Sequence, residues 1–254
     1  MQKKKTIYII ILFLIISCIF ILSYKIYINR HDDKLIKEEI EKINKEIIIN
    51  DKENKQEEEI KDDKNEEDNQ KIEQEILTLD FEKLKQINPD TVGWIKVDNT
   101  NINYPIVKTN NNSYYLNHSF YKAYNINGWI FENSENSSNF DDANTVLFGH
   151  NTNSKTMFSE LRDIYKGMLG NQINITIYLE NNTINYQVFS IYLEKPNSTS
   201  TISEYLNDSI VDQMKNKSNI LVDIDVDKND KILTLSTCNN ITDDRIILHA
   251  KMIN

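Results

Sequence analysis

Residues 6–24 form an uncharged, almost wholly apolar run of nineteen residues. As a helix rising ~1.5 Å per residue, such a run nearly spans the ~30 Å hydrocarbon core of a bilayer. A cleavable leader instead has an apolar region of roughly 7 to 15 residues followed by a small-residue cleavage site. Ser23-Tyr24-Lys25-Ile26-Tyr27 offers no such site, so the segment reads as a retained membrane anchor. Lys3, Lys4 and Lys5 precede it, and the bias of basic residues toward the cytoplasm predicts a cytoplasmic stub at 1–5 and an extracellular remainder. Lys25 and Arg30, beyond the run, reduce that asymmetry.

Charge is distributed unevenly around this anchor. The net charge of −10 divides into +5 over residues 1–31, −9 over 32–78 and −6 over 79–254. The only cationic block adjoins the apolar run, which leaves no basic footprint for nucleic acid. Two cysteines exclude a disulfide scaffold and every multi-cysteine zinc motif. Cys18 lies at membrane depth, reads as a packing residue, and cannot pair with Cys238 in the external part. Cys238 is thus left as an external thiol without a partner in the chain, which calls for reactivity or intermolecular pairing.

Beyond the anchor, Leu35, Ile36, Ile40, Ile43 and Ile47 recur at helical spacing and predict an amphipathic helix. Residues 51–70 hold fourteen charged residues and one aliphatic, Ile60, too little apolar surface to offset the entropy of ordering. Residues 25–78 are therefore expected to form a charged, partly helical stalk, with a folded domain over 79–254. A short helix is predicted to end at Asn88-Pro89-Asp90, because proline disfavours the helical region for its predecessor. Strands are predicted at 92–97, 102–107, 129–131, 145–148, 173–179, 183–193, 231–237 and 245–252, with an Asn181-Asn182 hairpin turn. Helices are expected at 156–165 and 203–215. Eight short strands make the domain mainly β, as a barrel or a sandwich, and strand counting does not choose between them.

Three residues at strand ends could carry chemistry. Cys238 follows the strand at 231–237, His150 follows the strand at 145–148 through Gly149, and Arg245 opens the last strand. Brought together, they would supply a nucleophile, a proton carrier and a fixed cation. Taken singly, each has a plainer reading: an inert buried thiol, an ordinary histidine, and a surface arginine whose ion pairs are worth ~0 to 1 kcal/mol. His118 and His249 read as structural or exposed, and scattered histidines with one cysteine lack zinc-ligand spacing.

The combined pattern resembles the sortase family, and class B in particular. Thr234-Leu235-Ser236-Thr237-Cys238 is similar to the family's TLxTC signature, Leu147-Phe148-Gly149-His150-Asn151 to its GHN segment, and Asp244-Arg245 leads the final strand. Similarity extends through Asn88-Pro89-Asp90-Thr91-Val92-Gly93-Trp94-Ile95, Asn103-Tyr104-Pro105-Ile106-Val107, Tyr114-Tyr115-Leu116 and Met157-Phe158-Ser159-Glu160-Leu161, covering about residues 80–252. The resemblance implies a closed eight-stranded barrel with an N-terminal helix and a helical insertion before the cysteine strand. It implies a cysteine transpeptidase that cuts an NPxTx-like sorting signal after threonine and joins the new carboxyl group to an amine of peptidoglycan or lipid II, without metal or cofactor. Its partners would be secreted proteins with a C-terminal sorting signal. The catalytic residues would be Cys238, His150 and Arg245, and the substrate groove would include Asn112, Leu116, Thr201, Tyr205, Leu206 and Ser236. Phe148 stands where a tyrosine is expected, Asn239 where an acidic residue can occur, and the 238–245 connection is short. A pilin-polymerising sortase and a non-catalytic binding module of the same fold are the alternatives.

Overall fold

The computed structural model describes residues 2–49, 78–152, 154–170, 172–195, 205–238 and 244–253. The expected spacer at 51–70 and Thr201 lie outside these residues.

Helix α1 (Gln2–Ile47) runs unbroken for 46 residues. No glycine or proline interrupts residues 2–47, so nothing in the backbone chemistry ends the helix between the apolar run and the amphipathic one. The two parts have different surroundings. Large apolar side chains from Ile7 to Tyr27 stand exposed, and this is the one described helix long and apolar enough to cross a membrane. Further along, Ile36, Ile43 and Ile47 are sealed in the main core with Ile40 packed beside them, each contributing roughly 1.5 to 3 kcal/mol by burial. Leu35, at the edge of the stripe, remains exposed.

Polar contacts fix this docking. Asp32 Oδ2 accepts from Ile126 N–H at 3.2 Å, and the Asp32 carbonyl accepts from Asn125 Nδ2 at 3.1 Å. Ser119 Oγ donates to Glu39 at 3.0 Å, and Lys42 Nζ sits 4.8 Å above the Tyr121 ring. The amphipathic segment, expected in a stalk, is thus packed on the folded domain.

Strand β1 (Ile48–Ile49) pairs antiparallel with β2 (Thr78–Leu79), Ile48 opposite Leu79 and Ile49 opposite Thr78. The chain leaves and re-enters the domain at one place, so the residues between do not set the distance from α1 to the barrel.

Helix α2 (Phe81–Ile87) follows, with Asp80 accepting from Lys83 N–H at its start and Asn88 at its end. The remaining strands are β3 (Thr91–Val97), β4 (Asn103–Val107), β5 (Phe131–Glu132), β6 (Asn144–Phe148), β7 (Asn174–Tyr178), β8 (Thr183–Glu194), β9 (Ile232–Cys238) and β10 (Arg245–Met252). They close an eight-stranded barrel in the order β10-β8-β7-β3-β4-β5-β6-β9, which resolves the barrel-or-sandwich alternative. The pairs β4–β5 and β6–β9 are parallel and the rest antiparallel. Closure leaves no free sheet edge. Trp94, Trp129, Leu233 and Leu235 lie in the main core, while a smaller one forms where α4 (Asp208–Lys217) lays Val211 and Met214 against Phe189 and Ile232.

The helices are shorter than the apolar spacing predicts. Only Leu161–Tyr165 is helical (α3), because the hydroxyls of Thr152, Thr156 and Ser159 bond one another and the local backbone, offering residues 152–159 an alternative to helix. Helix α4 begins at Asp208 since Asn207 caps it, accepting from Ile210 N–H, so Tyr205 and Leu206 precede the helix. The β7–β8 turn closes through Leu179 N–H to Asn182 C=O at 2.8 Å, centring on Glu180-Asn181, and needs no left-handed residue.

Candidate active site

Two parallel strands build the site. In the β6–β9 register Phe148 lies beside Ser236, and both chains continue two residues in the same direction, to His150 and to Cys238. On the other side of β9, Cys238 is directly opposite Arg245 of β10, a pairing that holds Cα atoms ~4.5 to 5.5 Å apart in an antiparallel ladder. Three residues separated by up to 95 positions in the chain therefore meet at one barrel end.

Leu116, Phe148, Gly149, His150, Ser236, Thr237 and Arg245 line a small pocket there. Glycine is required at 149 for close approach: a Cβ would lie 2.7 Å from the Phe158 ring. Gly149 N–H donates to Ser236 C=O at 3.2 Å, and Phe158 N–H donates to His150 C=O at 3.0 Å, which fixes the backbone on both sides of the imidazole. Phe148 leans on Phe131 with ring centroids 5.4 Å apart.

The half-buried His150 ring is oriented by one bond. Its Nε2–H donates to the Leu116 carbonyl at 2.8 Å. In the neutral ring this leaves Nδ1 as the free lone pair, so Nδ1 is the atom that can take or give a proton. The carbonyl is placed by a short 3-10 turn, Tyr114–Leu116, seated on Gly128. Gly128 has φ +55°, and a Cβ there would lie 2.3 Å from Tyr115 O and 2.8 Å from Leu116 O. The Asn127-Gly128 dipeptide is a turn signal that sequence reading could have used.

Arg245 is half-buried, and its neighbouring carboxylates are occupied by lysines. Glu194, opposite it on β8, pairs with Lys217, and Asp244 pairs with Lys195 at 3.0 Å. Arg245 itself makes no ion pair among the described residues, so its guanidinium is available to a ligand.

The expected groove residues divide. Leu116, 43% exposed, and the buried Ser236 line the pocket. Asn112 does not: its amide donates to Asn133 Oδ1 at 2.7 Å and accepts from Ser134 N–H at 2.8 Å, bracing two loops. Leu206 packs on the small core beneath α4, and Tyr205 stands 74% exposed before that helix. Sequence reading does not select Thr237 as a lining residue. Two other histidines, His118 and His249, are structural. His118 stacks on Tyr114 at 4.1 Å, and His249 is sealed between β8 and β9.

Known proteins share this sequence pattern and this fold. A sortase-domain family model matches residues 95–253. Sortase B of Staphylococcus aureus is 36% identical over 189 residues, covering 71% of this chain and 77% of that protein. Sortase B of Listeria monocytogenes is 30% identical over 190 residues, covering 68% and 74%. The crystal structure of Clostridium perfringens sortase B superposes with a TM-score of 0.64 at 36% identity, over 69% of this chain and all of the other. Family match, sequence identity and a shared closed barrel lead to one assignment: this chain belongs to the sortase family, as a cysteine transpeptidase of the sortase B kind.

Proposed function

We propose that the protein is a membrane-anchored transpeptidase that cleaves an NPxTx-like sorting signal after threonine and transfers the acyl group to a peptidoglycan amine through a thioacyl enzyme. The observation that carries this reading is the convergence of the β6 and β9 ends, with Arg245 in register opposite Cys238. Sortase B of S. aureus has been solved with a substrate, and sortase B has been solved with triglycine, a peptide that carries a free amine; both roles are carried here to this chain by family membership.

In the first step the Cys238 thiolate adds to the threonine carbonyl, forming a C–S bond. The C–N bond then breaks, and the departing amine takes a proton from His150 Nδ1. In the second step the acceptor amine gives a proton back to Nδ1 as it attacks the thioester, and the thiolate leaves. Arg245 faces the tetrahedral oxyanion that forms in each step, the place where a fixed cation gains most. The Leu116 carbonyl keeps Nε2 protonated throughout, so one nitrogen serves both transfers. The apolar part of α1 holds the barrel at the outer face of the membrane, with residues 1–5 in the cytoplasm.

The test is product mass. An NPxTx peptide incubated with the full chain in detergent should yield a peptide cut after threonine, and, with oligoglycine present, a ligated product. Hydrolysis without ligation would make the protein a peptidase, ligation only to a pilin lysine would favour polymerisation, and no turnover with intact peptide binding would favour a binding module.

A further inference from the structure

A cleft far larger than the catalytic pocket, about 390 Å³, opens where α1 meets the barrel. Lys37 and Asn44 of α1 form one wall, Lys96 and Asn103 of the β3–β4 hairpin another, and Lys155 of the loop after His150 the third. In a chain of net charge −10, lysines are expected to find carboxylates, and Lys34, Lys85, Lys108, Lys122, Lys195, Lys217, Lys228, Lys231 and Lys251 all do. The side-chain ammonium groups of Lys37, Lys96 and Lys155, like those of Lys45 and Lys166, make no ion pair and no hydrogen bond among the described residues, and these three residues all line this cleft.

The surrounding polar groups favour the same sign of ligand. Asn103 Oδ1 accepts from Trp94 Nε1 at 2.6 Å, which turns its donor Nδ2 away from the indole. Lys155 adopts φ +60°, a conformation that side-chain-bearing residues rarely hold. The carboxylate beside the hairpin, Glu160, is bonded by Asn101 N–H at 2.7 Å and Asn101 Nδ2 at 3.1 Å. Glu41 is the only acidic residue among the lining. Three free ammonium groups against one carboxylate make a site for an anion with several acceptor oxygens.

We infer that this cleft binds a phosphate group, presented by a lipid headgroup or as a free phosphate. Both sources are open to it. Lys37 is ten residues beyond Tyr27, the last exposed aromatic of the apolar part, which is about 15 Å along a helix, on the stretch of α1 that follows the apolar part. The cleft also adjoins the catalytic loop, since Lys155 lies between Asn151 and Met157, which pair across that loop. A bound phosphate would clamp the residues that follow His150.

Lysine acylation read by mass spectrometry tests this on the full chain without any substitution. The chain is held in dodecyl maltoside micelles, which carry no phosphate, alone, with inorganic phosphate at matched ionic strength, or with phosphatidylglycerol added to the micelles. Lys45 and Lys166, exposed and outside the cleft, report generic screening. At least threefold slower labelling of Lys37, Lys96 and Lys155, with Lys45 and Lys166 unchanged, supports the site. Protection by inorganic phosphate assigns a free anion, and protection by phosphatidylglycerol alone assigns the headgroup. The inference is overturned if no arm slows the three lysines, or if all five slow together. Because the readout is labelling, it is independent of whether the protein ligates peptides.

Discussion

His150 and His249 flank the same strand, β9, and have opposite surroundings. His150 stands at the pocket mouth, held by a single bond to the Leu116 carbonyl. His249 is fully buried in a closed chain: Thr234 Oγ1 donates to Asn144 Oδ1 at 2.6 Å and accepts from His249 Nδ1–H at 2.8 Å, while His249 Nε2 accepts from the Tyr192 hydroxyl at 2.9 Å. Burial holds this imidazole down to about 3, so it stays neutral. One ring has a free nitrogen and access to a ligand, and the other has neither. What differs is the ring's bonding partners, since both histidines follow hydrophobic strand residues in the sequence.

The comparison breaks most sharply at the pocket end. Cys238→Ala should lower peptide cleavage at least about a thousandfold, and His150→Ala about 10² to 10⁴-fold, with thermal unfolding nearly unchanged; a residual rate within tenfold of the parent in either variant would remove that residue from the chemistry. Arg245→Lys should cost about 10² to 10³ in kcat, because an ammonium lacks the planar fork, and kinetic assay at saturating peptide reads it directly. At the sealed end the effect should move from rate to stability. His249→Ala leaves the Tyr192 hydroxyl and Thr234 with unmade bonds and opens a cavity, so urea unfolding should show a loss of about 3 kcal/mol, while turnover per folded molecule stays within twofold. If the rate fell instead, His249 would belong to the active site.

Protonation gives a finer contrast. Since His249 is depressed in the folded state, its stabilising contribution is complete above the unfolded value of 6.5 and is lost as pH falls toward 3. Glu132, buried in β5, has the opposite sign: burial is the main cause raising its carboxyl from 4.5 to about 7, with Lys108 partly opposing. Its contribution is complete below 4.5 and is lost as pH rises toward 7. Between 4.5 and 6.5 the two slopes oppose each other, each at most ~1.4 kcal/mol per pH unit. Denaturant titration should show that Glu132→Gln steepens the acid-side loss over that window and His249→Ala removes it.

Much of this is legible in the sequence. The eight strands follow from alternating apolar residues, and the stripe Ile36, Ile43, Ile47 announces a helix with one buried face. The proposed catalytic trio can be named because its motifs are local. Other features depend on register. Nothing in the residues near Cys238 shows that Arg245 is opposite it, and a lone histidine on a strand does not reveal whether its ring will be sealed. Apolar spacing places Tyr205 and Leu206 in a helix that starts later, although Asn207 is a recognisable cap. The acidic segment reads as a spacer because composition reports charge and length but not where two ends lie, and two dipeptide strands are too short to predict from pattern.

The pairing of Ile48 with Leu79 has a practical consequence. A hairpin-like closure decouples the number of intervening residues from the spacing between α1 and the barrel, so the sequence between these strands can be shortened, lengthened or replaced by a fluorescent module without moving one relative to the other. That spacing is instead written into α1, where adding or removing a single residue between Tyr27 and Asp32 would turn the barrel by about 100° around the helix axis relative to the apolar part.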